Sequence, residues 1–334
     1  MKIRKIAAVA SALVMAVGLA GCGGGGSASA GDVIKLKLAM VDNESTPYYK
    51  GAQKIAEEVK AATDGRVEIQ INAGGLLGDE RGTVEMAMNG DVDIATAANS
   101  VMTNWIPEMS VLEQAFLWDN ADQAHAAVDG PVGELIEKAA EAQGVHVIGY
   151  MESGFRNTFS KDPITSIDDF SGVKIRTMQS PAQLAAFESF GAMPVALPAG
   201  EQFTALQQGT IDAAENATVN MQANRFYEVI KNHTTTEHNF VYILLVMSDK
   251  AWQSIPDDVR PAFLEGVQAG YQAEREYLVE ANTTAADELK SNGVQFHDID
   301  RAALKAAYEA SPTVQAFTYD PEWVAAVDEA KASH

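Results

Sequence analysis

Cysteine is nearly absent from this chain: there is one, Cys22, among 334 residues. A single thiol excludes an internal disulfide and any structural zinc site built on cysteine pairs. Positive charge is scarce as well, with 24 Lys and Arg against 46 Asp and Glu and a formal net charge of −22. A duplex nucleic-acid binder needs a basic face, so no nucleic-acid partner is expected. From residue 32 to residue 334 there is no GxGxxG, no P-loop and no HExxH, the motifs of dinucleotide, nucleotide-phosphate and zinc-protease chemistry. His125, His146, His233, His238, His297 and His334 show no metal-ligand spacing, so neither a metal nor a cofactor is expected. Long apolar runs are missing too. The longest, Ile6 to Leu19, falls short of the roughly 20 residues that span a bilayer. With 47% hydrophobic residues, the chain is nonetheless an ordinary globular one.

What is present begins at the amino end. Lys2, Arg4 and Lys5 precede the apolar stretch, and no acid occurs among the first 21 residues. Leu19-Ala20-Gly21-Cys22 follows. Basic, apolar and then small residues is the order of a secretory signal. The cysteine that closes it resembles a bacterial lipobox, which implies cleavage before Cys22 and a diacylglycerol on its sulfur. The expected organisation is a signal peptide at 1–21, then a lipidated cysteine and a flexible Gly/Ser/Ala leash at 22–31. Such a protein is exported and held by a lipid anchor at the outer face of the cytoplasmic membrane or in the periplasm.

The body alternates strand and helix signals. Val33–Leu38 and Val67–Ile71 read as strands, and Val92–Ala95 as a third. Between them Thr46–Ala62 has helical spacing with Pro47 in its first turn, and Asp79–Asn89 reads as a helix closed by Gly90. That rhythm predicts a parallel or mixed sheet covered by helices. A second round follows: strands at Val145–Tyr150, Val173–Arg176 and around Ile211–Ala213, and a helix at Pro181–Phe190. Val241–Met247 is continuously apolar, the pattern of a strand buried on both faces. Pro256 to about Lys290 is helical, interrupted only by Gly266 and Gly270, and is long enough to bridge two lobes. The expected fold class is α/β: a two-lobed clamshell of the periplasmic-binding-protein kind, with mixed sheets flanked by helices and a long C-terminal bridging helix. Lobe I would comprise 32–153 plus 242–281, and lobe II 154–241 plus 282–334. Ligands of such folds sit in the crevice at the carboxyl ends of strands. Hinges are expected near Ser153-Gly154 and Val241.

Six segments then occur in a familiar order: Leu77-Gly78-Asp79-Glu80-Arg81, Phe155-Arg156-Asn157-Thr158, Gly172-Val173-Lys174-Ile175-Arg176, Ala205-Leu206-Gln207-Gln208-Gly209, Ile211 to Asn216, and Lys231 to His238. From about Leu36 to Pro256 the chain resembles the DctP-like solute-receptor subunits of TRAP (tripartite ATP-independent periplasmic) transporters. The resemblance implies a receptor, not an enzyme. It would close around a small carboxylate solute and deliver it to TRAP-type membrane permease subunits. A monomer is the expected working unit.

Arg176 ends a strand just before Ser180-Pro181 opens a helix, and a guanidinium there offers a carboxylate a planar fork. Position alone fits a salt bridge as well. The resemblance implies that Arg176 clamps the solute, leaving the empty fold little to lose from its substitution. It implies the same for Arg156, in Gly154-x-Arg156-x-x-x-Ser160, where the alternative is an ion pair with Glu152 or Glu201. Asn216 ends Asp212-Ala213-Ala214-Glu215-Asn216, with alanine at 213 and 217 where the family has glycine and proline. An amide there can donate and accept. Glu215 would bond a solute hydroxyl or neutralise an arginine. Gln179, a turn past Arg176, and Asn99, after the third strand, complete the candidate ligand-binding set. Ala98 and Ala199 replace an acid and a phenylalanine of sialic-acid receptors, which disfavours that ligand. Phe116, Trp118 and Trp105 are read as core rather than sugar platforms.

Two arginines suit a monocarboxylate with hydroxyls, such as a uronate or aldonate, ahead of a C4-dicarboxylate, because neither Lys50 nor Arg81 is clearly placed for a second carboxylate. A ligand-presenting subunit for a sensor protein is another reading. An extracytoplasmic enzyme lacks a GxSxG or a free thiol. The acidic body repels an anion at long range, but salt confines that repulsion to about 8–10 Å, inside which buried arginines dominate.

Overall fold

The computed structural model describes residues 33–333. The signal segment, Cys22 and the leash lie outside the described residues. The chain forms one mixed sheet of nine strands: β1 Ile34–Ala39, β2 Val67–Asn72, β3 Ile94–Ala98, β4 Val145–Ser160, β5 Lys174–Thr177, β6 Met193–Ala196, β7 Ala213–Asn216, β8 Asn232–Ser248 and β9 Gln295–Asp298. Their order is β2-β1-β3-β8-β4-β7-β5-β6, with β9 beside β8. β1 pairs in parallel with β2 and β3, and β5 in parallel with β6 and β7. β8 runs antiparallel to β3, and β4 antiparallel to β7 and β8. The α/β class, the mixed sheet, the flanking helices and the long helix all agree with the sequence reading.

Local chemistry explains the helix starts. Thr46 caps the helix Pro47–Ala62, its side chain accepting from the Tyr49 N–H, while Asp79 does the same for Gly82 at the helix Glu80–Met88. Gly90 takes φ 73°, as a left-handed stop requires. The long helix Arg260–Ser291 crosses Pro47–Ala62, and the two interrupting glycines are what permit it. A Cβ on Gly270 would stand 2.5 Å from Ile55 Cα, and one on Gly266 2.7 Å from Val59 Cα.

Two strands are longer than their apolar patterns suggest. β4 runs on past Tyr150 to Ser160, and β8 begins at Asn232 rather than Val241. Their pairing shifts register between Glu152 and Gly154, where Gly154 adopts φ 73° opposite Val241. The core is divided. The largest cluster holds Leu36, Val59, Met247, Phe263 and Trp323; a second holds Phe170, Phe187 and Leu304; a third holds Phe159, Leu206 and Leu289. Trp118 belongs to the first and Phe116 packs against the second. Among the described residues no helix is long and apolar enough to cross a membrane.

Candidate functional site

A cavity of about 90 Å³ lies where β4 and β8 pass between these clusters, lined by Arg156, Arg176 and Asn216 as well as by Asp42, Tyr48 and Glu80. Arg156 follows the register shift in β4, Arg176 lies on β5, and Asn216 ends β7, facing Asn157 of β4. Parallel strands β5 and β7 deliver these side chains at their carboxyl ends.

Both arginines are 3% exposed and Glu215 is fully buried between them. Arg156 donates from Nε to Glu215 Oε2, from Nη2 to Glu215 Oε1 at 2.9 Å, and from Nη1 to Asn216 Oδ1 at 3.0 Å. Arg176 donates from Nε and Nη2 to the Leu197 carbonyl at 2.9 and 2.7 Å, and reaches Glu215 Oε1 from Nη1 at 3.4 Å. Burial opposes ionisation of Glu215, yet Arg156, His238 and Arg176 together hold its carboxyl down at about 2. Burial lowers Arg176 to about 10 against the pull of Glu215. His238 stands 3.5 Å from Glu215 Oε2, and burial depresses its own protonation.

The same lining carries acids. Burial pushes Asp42 up to about 7, and Glu80 adds to the push. Glu80 accepts the Ala98 N–H at 3.2 Å, and burial raises its carboxyl too. The lining therefore combines two guanidiniums with carboxyls whose ionisation burial disfavours. A solute that carries both a carboxylate and hydroxyls matches that mixture.

Of the residues singled out from sequence, the fold brings Arg156, Arg176 and Asn216 to the cavity, with Ala98 and Ala199. Glu215 sits behind the arginines and faces them instead of the cavity. Arg156 pairs with it rather than with Glu152 or Glu201. Asn99 is enclosed, donating to Glu113 and accepting from the Tyr242 N–H at 2.9 Å. Gln179 lies outside the lining, as do Lys50, which stacks on Tyr277, and Arg81, which pairs with Glu85. Arg176 is tied to Leu197, so the empty fold does have something to lose at this position. Asp42, Tyr48 and Asn220 lie outside the segments singled out from sequence, and although Glu80 and His238 lie within two of them, only the fold groups the five.

An α/β body whose buried arginines line one cavity has the form of a solute-binding receptor. The chain belongs to the DctP family, bacterial extracellular solute-binding protein family 7, whose model matches residues 38–320. The 2,3-diketo-L-gulonate-binding periplasmic protein YiaO of Escherichia coli K12 is 28% identical over 274 residues, 81% of this chain and 84% of that protein. A TRAP periplasmic solute-binding protein from Xanthobacter autotrophicus, solved with bound β-D-galacturonate, has 26% identity and a TM-score of 0.84, covering 89% of this chain and 99% of that one. Another, from Polaromonas sp. JS666 bound to D-erythronate, has 26% identity and a TM-score of 0.84, covering 90% and 98%. These relatives are receptors rather than enzymes, and proteins of this kind bind small carboxylate solutes and work with membrane permease subunits.

Proposed function

We propose that this protein captures a hydroxylated monocarboxylate, a sugar acid such as a uronate or aldonate, and hands it to a TRAP permease. The mixed lining of the cavity carries this reading: Arg156 and Arg176 share it with Asp42 and Glu80. A C4-dicarboxylate needs a further cation for its second carboxylate, and neither Lys50 nor Arg81 lines the cavity. The uronate and erythronate of the structural neighbours support a sugar acid. In this reading residues 32–153 plus 242–281 close on 154–241 plus 282–334 by bending at Gly154 and Val241. Cys22 carries the lipid that keeps the receptor at the membrane. The test is a thermal-shift screen of purified protein against uronates, aldonates and dicarboxylates. A ligand at 100 times its dissociation constant adds about 2.7 kcal/mol of stability. Stabilisation by dicarboxylates alone refutes the hydroxy-acid reading.

A further inference from the structure

The hydrogen bonds around Asn216 fix the orientation of a second amide. Arg156 Nη1 meets Asn216 at 3.0 Å and the Ala217 main-chain N–H meets the same atom at 2.8 Å. A guanidinium and a backbone N–H offer only protons, so that atom is the carbonyl oxygen Oδ1. Asn220 approaches this oxygen at 2.8 Å and must present Nδ2 to it. The same Nδ2 also donates to the Tyr48 hydroxyl at 2.7 Å, whose own proton goes to Ser153 Oγ at 2.7 Å. Each step forces the next, and the string leaves Asn220 Oδ1 facing away from it. Asn220 is 6% exposed and lines the cavity, and its Oδ1 has no protein donor.

A carbonyl oxygen shut away from water without a donor is a standing cost, relieved when a solute hydroxyl reaches it. Its neighbours along the string cannot take over this role. The Tyr48 oxygen already accepts from Asn220 Nδ2, and Asn216 Oδ1 already accepts from Arg156, Ala217 and Asn220.

We propose that Asn220 Oδ1 is a specificity-determining acceptor, selecting acids that carry a hydroxyl beside Tyr48 over acids that present no proton there. This rests on the receptor reading above and adds to it a named atom and a required solute group. Sites built to hydrogen-bond a solute hydroxyl reject analogues lacking it, because the protein group is then left unpaired.

Calorimetry on the wild-type protein, Asn220→Ala and Tyr48→Phe decides the matter. The hydroxy acids are D-glucuronate, D-galacturonate, D-erythronate and pantoate, and cyclohexanecarboxylate and hexanoate serve as hydroxyl-free acids. Asn220→Ala breaks the string and removes Oδ1 as well, so it is expected to weaken every acid, with a loss about ten- to hundredfold larger for the preferred hydroxy acid than for the hydroxyl-free acids. Tyr48→Phe breaks the same string without removing Oδ1, and is expected to weaken all acids alike. An unchanged hydroxy-acid affinity in Asn220→Ala, or equal losses for both kinds of acid, overturns the role of Asn220 and leaves the receptor reading standing. Wild-type protein that binds hydroxyl-free acids as tightly as hydroxy acids overturns it as well. If the wild type binds none of the four hydroxy acids, the receptor reading falls and this inference falls with it.

Discussion

Replacing Glu215 with glutamine removes the one negative charge shared by two buried guanidiniums while keeping the shape of the side chain. The geometry sets the size of the effect. Arg156 contacts both carboxylate oxygens, Arg176 reaches Oε1 at 3.4 Å, and His238 stands 3.5 Å from Oε2. Breaking a buried pair from one side costs about 3–5 kcal/mol, because the remaining charge is stranded. Titration leads to the same range. A carboxyl that moves from 4.5 unfolded to about 2 folded contributes about 3 kcal/mol at neutral pH. Because the folded value is the lower one, that stability is complete above the unfolded value and is lost as pH falls through the folded one. Urea unfolding of Glu215→Gln beside the wild type is expected to show a deficit of about 3 kcal/mol at pH 7 that shrinks to less than half by about pH 3. A deficit under about 1 kcal/mol at neutral pH, or one that does not shrink on acidification, refutes the argument that Glu215 is ionised and holds the arginines.

Arg176→Lys keeps the charge but loses the fork, and is expected to weaken hydroxy-acid binding about ten- to hundredfold. It should also lower the melting temperature of the empty protein, since a lysine cannot supply both bonds to Leu197; unaltered affinity in calorimetry removes Arg176 from the binding site. Gly270→Ala drives a methyl into the Ile55 main chain and is expected to cost about 1–3 kcal/mol in urea unfolding, whereas no loss means that the two helices part readily. Cys22→Ser is expected to move the protein from the membrane fraction to the soluble one without changing its melting temperature, and continued membrane retention sinks the lipid tether.

The helices were legible because their signals are local. Thr46, Pro47, Asp79 and Gly90 each act on the backbone within a few residues. The crossing strands were cut short for the opposite reason. Ser153, Arg156 and Asn157 are polar and buried, and polar residues in a strand that serves a cleft erase the apolar pattern by which strands are read. The site divides in the same way. Arg156, Arg176 and Asn216 sit in motifs whose order along the chain is itself a signal. Asp42, Tyr48 and Asn220 acquire meaning only when segments distant in sequence meet. Asn99 lies outside the cavity lining, which its neighbour Ala98 reaches, and its own amide is occupied by Glu113 and Tyr242.

The largest apolar cluster joins Leu36, on the first strand, to Ala330, on the last helix. Its sheet is completed only when β8 has been made, because β3 and β4 both pair with that strand. The β1–β3 part of the sheet therefore joins the β4–β7 part only after Asn232–Ser248 has been made. Such long-range dependence slows folding. Until then β3 and β4 each lack a partner strand, and the unfinished chain is the form most open to wrong pairing.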